Sequence, residues 1–204
     1  MDIPEENRLH LVIDEDQLHH LSLVLQSRFF MKIQVGCSLK TFLMREIGLI
    51  PEFIEERIQT AFLDGQAVDD LDSAIIKDGS SLALSSAMPG LVGAAMRRGG
   101  FYSALRSSIT YQEKGKPDIL MNEGTVQIKL YNLLMKELGA LFLMKGIYIS
   151  SSDLASFLSN QPESFWFGCK NIFLNGEPLS VDALLKGNGL SQYRMTYLTV
   201  QTQP

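Results

Sequence analysis

Cysteine is scarce in this chain. Cys37 and Cys169 are the only two in 204 residues, far apart and in no paired motif. That excludes a disulfide framework and fits a reducing compartment, with both thiols buried and inert. Positive charge is also short. Eighteen Lys and Arg against 23 Asp and Glu leave a net charge of −5, a field that repels nucleic acid as a whole. No apolar run reaches the roughly 18 residues of a membrane span. The nearest, Leu82 to Met96, is interrupted by Ser85, Ser86, Pro89, Gly90 and Gly93. The opening "MDIPEENRLH" is acidic and lacks the apolar core of a signal peptide. The expectation is a cytoplasmic protein that binds neither nucleic acid nor membrane. Catalytic signatures are missing too. There is no Walker loop, no dinucleotide fingerprint, and no Ser-His-Asp or Cys-His pair at readable spacing. The expectation is therefore a non-enzymatic protein without catalytic residues, cofactor or metal.

What is present is an ordinary globular composition, 46% hydrophobic and 20% charged. The length suits one large domain or two of about 100 residues. An internal repeat favours two. "FLDGQAV" at Phe62 to Val68 matches "FLNGEPL" at Phe173 to Leu179. "SAIIKDG" from Ser73 is answered by "DALLKGNG" from Asp182, "LKTFL" from Leu39 by "LASFL" from Leu154, and "LHLVI" from Leu9 by "VQIKL" from Val126. The four segments keep the same order, which points to a duplication.

Each half predicts the same succession. A strand opens it, at His10 to Ile13 and at Val126 to Tyr131, with Leu9, Leu11 and Ile13 facing inward. An apolar stretch of less certain form follows. Second strands lie at Phe30 to Val35 and Ile147 to Ser150. Then comes a helix. Ser38 is a plausible N-cap for a stripe of Leu39, Phe42, Leu43 and Ile47; Ser152 or Asp153 caps a shorter helix with Leu154, Phe157 and Leu158 inward. Gly48 and Asn160 suit the helix ends. Third strands end on Asp64-Gly65 and Asn175-Gly176, dipeptides that tolerate positive φ in tight turns. Last strands are "SLALSS" and "YRMTYLTV".

A strand pair, a helix, a strand ending in "NG", a short turn and a final strand resemble the β-grasp (ubiquitin-like) fold. The segments "FLNGEPLSVDALLKGNG" and "FLDGQAVDDLDSAIIKDGSSLALSSAMPGLVG" look most like its sulphur-carrier branch, the small subunit of molybdopterin synthase and the thiazole-synthesis carrier. The resemblance implies an α+β fold of two tandem β-grasp units, packed as one body or as two. The first is expected over 1–100 and the second, with its connector, over 101–204. Phe101 to Glu123 forms the connector, with a loop signal at Glu113 to Asp118. The resemblance also implies a Gly-Gly tail whose terminal carboxylate carries sulphur. This sequence ends "TVQTQP"; its Gly-Gly is internal, at Gly99-Gly100, and would act only after cleavage.

The central stretch "AMPGLVGAAMRRGG" therefore bears the binding expectations, at Met88, Gly90, Gly93, Met96, Arg97, Arg98, Gly99 and Gly100. Pro89 is suited to the first position of a short helix over Leu91 to Met96, and Arg97 and Arg98 to the dipole at its C-terminal end. Met88, Leu91, Val92 and Met96 suit a docking surface for a protein partner or a second copy, or a crossover packed between the halves. Exposed N–H groups and the two arginines also suit a small anion or nucleotide. The remaining candidates read as structural. His10, His19 and His20 beside Asp14 to Asp16 are better solvated than metal-binding. Asp69-Asp70-Leu71-Asp72 suits a turn, and Trp166 and Cys169 suit core packing.

Overall fold

The computed structural model describes residues 6–112, 121–186 and 189–203. The elements run β1 (Glu6–Asp14), α1 (Glu15–Leu21), β2 (Phe29–Val35), α2 (Leu39–Phe42), α3 (Pro51–Arg57), β3 (Thr60–Leu63), β4 (Gln66–Ala67), β5 (Ser81–Ser85), α4 (Gly90–Met96), β6 (Asn122–Tyr131), α5 (Leu133–Lys145), β7 (Ile147–Ser150), α6 (Ser151–Ser159), α7 (Glu163–Phe167), β8 (Cys169–Leu174), β9 (Glu177–Pro178), α8 (Val181–Leu185) and β10 (Met195–Gln203). The fold is α+β, as expected. The expected loop at Glu113 to Asp118 lies outside the described residues.

Two compact units emerge, drawn from different stretches than 1–100 and 101–204. Unit 1 spans Met31–Leu134; unit 2 joins Asp2–Phe30 to Met135–Pro204. The reason is strand pairing. β1 runs parallel to β10 from Glu6↔Met195 to Asp14↔Gln203, which ties the start of the chain to its end. β5 runs parallel to β6, from Ser81↔Gln127 to Ser85↔Tyr131. Parallel partners require a long crossover, so each half of the sequence can donate a strand beyond itself.

Unit 1 orders its strands β4-β3-β5-β6-β2. Ser38 caps α2 as expected, its Oγ accepting from the Thr41 N–H at 3.2 Å. Leu39, Phe42, Leu43 and Ile47 are all buried. The helix continues as a π-helical turn, Leu43–Ile47, and stops at Gly48 with φ +89°. α3 follows at once, opened by Pro51. The alternation on β5 divides the sheet's two faces. Leu82 and Leu84 enter the core, while Ser81 and Ala83 lie on the other face and are only half-buried.

Unit 2 orders its strands β7-β10-β1-β8-β9. Leu9, Leu11 and Ile13 are buried as expected, with Leu198 and Val200 beside them on β10. The apolar stretch after β6 is the thirteen-residue α5, rich in strong helix formers. Its Phe142 meets Phe29 edge-on at 5.1 Å between centroids. The cap of α6 is Ser150, whose Oγ accepts from Asp153 N–H at 3.4 Å, rather than Ser152 or Asp153. Leu154 and Leu158 are buried, whereas Phe157 is half-exposed.

Both expected turns form. Asp64 and Gly65 take φ +53° and +80°; Asn175 and Gly176 take +55° and +88°. Successive positive φ values close the tight hairpins whose twist matches the strands they join. Phe62 pairs with Ala67 in one hairpin, and Phe173 with Pro178 in the other.

Candidate functional site

The central stretch leaves β5 and enters α4. Pro89 is the N-cap, not the first helical residue, and Gly90 follows with φ +75°. Gly93 lies against the Met88 carbonyl, and any Cβ there would collide with it. Only glycine permits that approach.

The arginines do different work from that expected. Arg98 caps α3 rather than α4. Its Nε donates to Ile58 O at 2.9 Å, and one Nη2 reaches Ile54 O at 3.4 Å and Glu55 at 3.3 Å. A cation on the last carbonyls of a helix is well placed against the dipole, so the principle holds on the neighbouring helix. Arg97 is exposed. The loop after α4 is tied down: Arg98 N–H donates to Gln59 O at 2.8 Å, Gly99 N–H to Asp69 Oδ1 at 3.1 Å and Gly100 N–H to Arg97 O at 3.2 Å.

The anchor of this loop is Arg106, which no pattern in the sequence singles out. It stands on the 3₁₀ helix Ser103–Ile109 and is 3% exposed. Its guanidinium grips Asp69 at 2.6 and 3.1 Å, and donates to Thr110 Oγ1 at 2.9 Å, Ala95 O at 2.7 Å and Arg97 O at 3.3 Å. A bidentate guanidinium–carboxylate pair fixes both position and angle. Asp69 is thus a partner inside the fold rather than a solvated turn residue. Asp70 does behave as expected, accepting from Asp72 N–H at 2.9 Å.

Held this way, α4, the 3₁₀ helix and the turn between them hold large apolar side chains out to solvent. Leu91 is 69% exposed, Val92 63%, Phe101 92% and Leu105 73%. Met88 and Met96 are half-buried. Of the two alternatives expected for Leu91 and Val92, a crossover packed within the chain or a docking surface, this exposure does not fit the first.

Beside this stretch, on the face of the unit 1 sheet away from its core, lies a groove of about 520 Å³. Its floor is β5, its walls Phe62 and Tyr131, and Met88 and Pro89 close one end. Asn132, with φ +55°, ties that end to the sheet by donating to Ser85 Oγ at 3.0 Å and Ala87 O at 3.1 Å. In unit 2 a wider cleft of about 700 Å³ opens at the start of α6, where Ser150 already caps the helix.

His10 Nδ1 lies 2.9 Å from Thr199 Oγ1. His19 and His20 are exposed. No group of His, Cys, Asp and Glu among the described residues is arranged to hold a metal. Burial pushes the Cys169 thiol up to about 11 and raises that of Cys37, so neither thiol forms a thiolate readily. In the aromatic run Phe165 is buried and Phe167 80% exposed. Among the described residues no helix is long and apolar enough to cross a membrane. No family model matches the chain, and neither curated proteins nor solved structures give a match.

Proposed function

We propose that this chain is a non-enzymatic protein-interaction module, built from two β-grasp-like units, that docks a second copy of itself through α4 and the 3₁₀ helix. The observation that carries this is the exposure of Leu91 and Val92 on α4, Leu105 on the 3₁₀ helix and Phe101 in the turn between them, a segment held together by Arg106. Each such side chain forfeits roughly 1.5–3 kcal/mol of burial in water. A rigid apolar surface of this kind marks an interaction site. The helix α4, "GLVGAAM", carries no charge, so two copies of an acidic chain meet there without opposing charges.

The β-grasp reading rests on features shared by both units. Each has a parallel central strand pair, a two-residue hairpin at its edge and a serine-capped helix after a strand. One difference remains. β3 neighbours β5 in unit 1, whereas its counterpart β8 neighbours β1 in unit 2. On the duplication reading, the two halves exchange the strands of the central pair. The sulphur-transfer alternative needs Gly99-Gly100 as a free tail, and the bonds to both glycine N–H groups count against it. The small-anion alternative loses Arg98 to the carbonyls of α3.

Sedimentation velocity across a concentration series tests the docking. A reversible dimer is expected at tens of micromolar protein, lost in Leu91→Glu. A wild-type chain that stays monomeric at several hundred micromolar overturns the self-association.

A further inference from the structure

The groove on the unit 1 sheet is a feature that the docking of Leu91, Val92, Phe101 and Leu105 does not use. Its floor is made of small residues. Ser81, Ala83 and Ser85 follow one another along the outer face of β5 and line it. Phe62 pairs with Ala83 from β3, and Tyr131 pairs with Ser85 from β6. The result is a shallow trough with a flat bottom and an aromatic ring on each side. About 520 Å³ is within the range of small-molecule sites.

The polar side chains that line it are Ser81, Ser85 and Asn132. Ser85 is 4% exposed, and its Oγ accepts from Asn132 Nδ2. Ser81 Oγ accepts from Gln127 Nε2 at 3.1 Å. Each hydroxyl accepts one bond there and keeps a proton that it can donate. Lys129 stands beside the groove rather than in its lining. It pairs with Ala83 in the sheet register, shares the outer face with Tyr131, and holds its ammonium 5.0 Å from the Tyr131 ring centre. Among the described residues no carboxylate pairs with it, and none lines the groove. A cation over an aromatic ring, beside a groove with two hydroxyls in its lining, is half of a charge pair.

We infer that this groove binds a small amphipathic carboxylate, an aryl or medium-chain aliphatic acid. Its flat apolar body lies on Ala83 between Phe62 and Tyr131. Its carboxylate meets the Lys129 ammonium and the hydroxyls of β5. This groove shares Met88 and Pro89 with the central stretch, but none of Leu91, Val92, Phe101 and Leu105 lines it.

Titration of the full chain by isothermal calorimetry tests the inference, with 2-naphthoate and octanoate as probes and 2-naphthalenemethanol and octanol as their neutral counterparts. The acids should bind with a Kd below about 1 mM and at least tenfold tighter than the alcohols. Lys129→Gln should remove that tenfold preference while leaving the alcohols unchanged. Ala83→Phe should abolish binding of both classes. Amide shifts in the unmodified protein give a reading independent of any variant's folding, and on adding 2-naphthoate they should move along β5 and at Lys129, Tyr131 and Asn132. Alcohols binding as well as acids would sink the proposal. So would saturating shifts confined to other elements, or no binding of either acid at 5 mM.

Discussion

Arg106 holds more of the site together than any other side chain. One guanidinium satisfies a carboxylate, a hydroxyl and two backbone carbonyls, and by doing so sets the angle between α4 and the loop that follows it. Removing one member of a buried pair costs more than the pair contributes, because the partner is left unmatched. Asp69 is one-third exposed and water relieves part of that penalty. Arg106→Ala should then cost about 3 kcal/mol, the lower end of the buried-pair range, and should make the chain susceptible to protease behind Gly100. Arg97→Ala, on an exposed neighbour, should stay within about 0.5 kcal/mol. Urea unfolding of the two variants separates them, and equal effects would mean that Asp69 finds another partner. A carboxylate gives the corresponding pH dependence. Asp78 accepts from the Thr125 N–H at 2.7 Å, and that bond holds its carboxyl below the usual value. A lowered folded-state pKa adds stability that is present above the unfolded value near 3.8 and lost as pH falls through the folded value. The Thr125 amide resonance should therefore shift only in acid below pH 4, and Asp78→Asn should remove that transition. Arg106, Asp78 and Thr125 were not visible in the sequence. Arg106 sits among serines with no periodicity, and its partner lies 37 positions away. Arg98 was read as a helix-capping cation, which it is, on a different helix.

At the level of elements the sequence carried more. Strands and turns were legible because their signals are local: alternation of apolar residues, and Asp-Gly or Asn-Gly where φ must be positive. β7 falls where it was expected, and Ser38 and Gly48 bound their helix as read. α5 was missed because it is apolar on nearly every side, which erases the 3.6-residue period that marks a surface helix. The exchange of strands was illegible for a different reason. Which half supplies a central strand is decided by long-range parallel pairing, and both halves offer strands of the same pattern. The two core helices now separate in a way that equal spacing concealed. Phe42 is fully buried and Phe157 is not. Phe42→Ala should cost about 3–5 kcal/mol, and Phe157→Ala roughly half as much, since the loss scales with the area removed from water. Denaturant titrations of both variants check the ranking, and a greater loss at Phe157 would put the weight of unit 2 on α6 instead of α5.

For the whole molecule the deciding quantity is charge set against apolar surface. The chain carries −5, and two copies brought together repel. The surface proposed to join them carries no charge on α4 and four large apolar residues more than 60% exposed between α4 and the 3₁₀ helix. Attraction there is hydrophobic, and the opposing term is long-range Coulomb repulsion. The two respond differently to solvent. Salt shortens the Debye length from about 30 Å at 0.01 M to about 8 Å at 0.15 M, which weakens the repulsion and leaves the apolar contact intact. Sulfate strengthens burial further, and cooling weakens it. The dimer should thus tighten on going from 10 to 150 mM sodium chloride, tighten again in sodium sulfate at equal ionic strength, and loosen between 25 and 5 °C. An interface built on ion pairs, such as one centred on the exposed Arg97 and a carboxylate of the other copy, predicts the opposite response to salt. Sedimentation equilibrium at the two salt concentrations distinguishes them by sign alone. A dimer that loosens as salt rises would move the contact away from Leu91, Val92, Phe101 and Leu105, and would require a charged surface elsewhere on the chain to take their place.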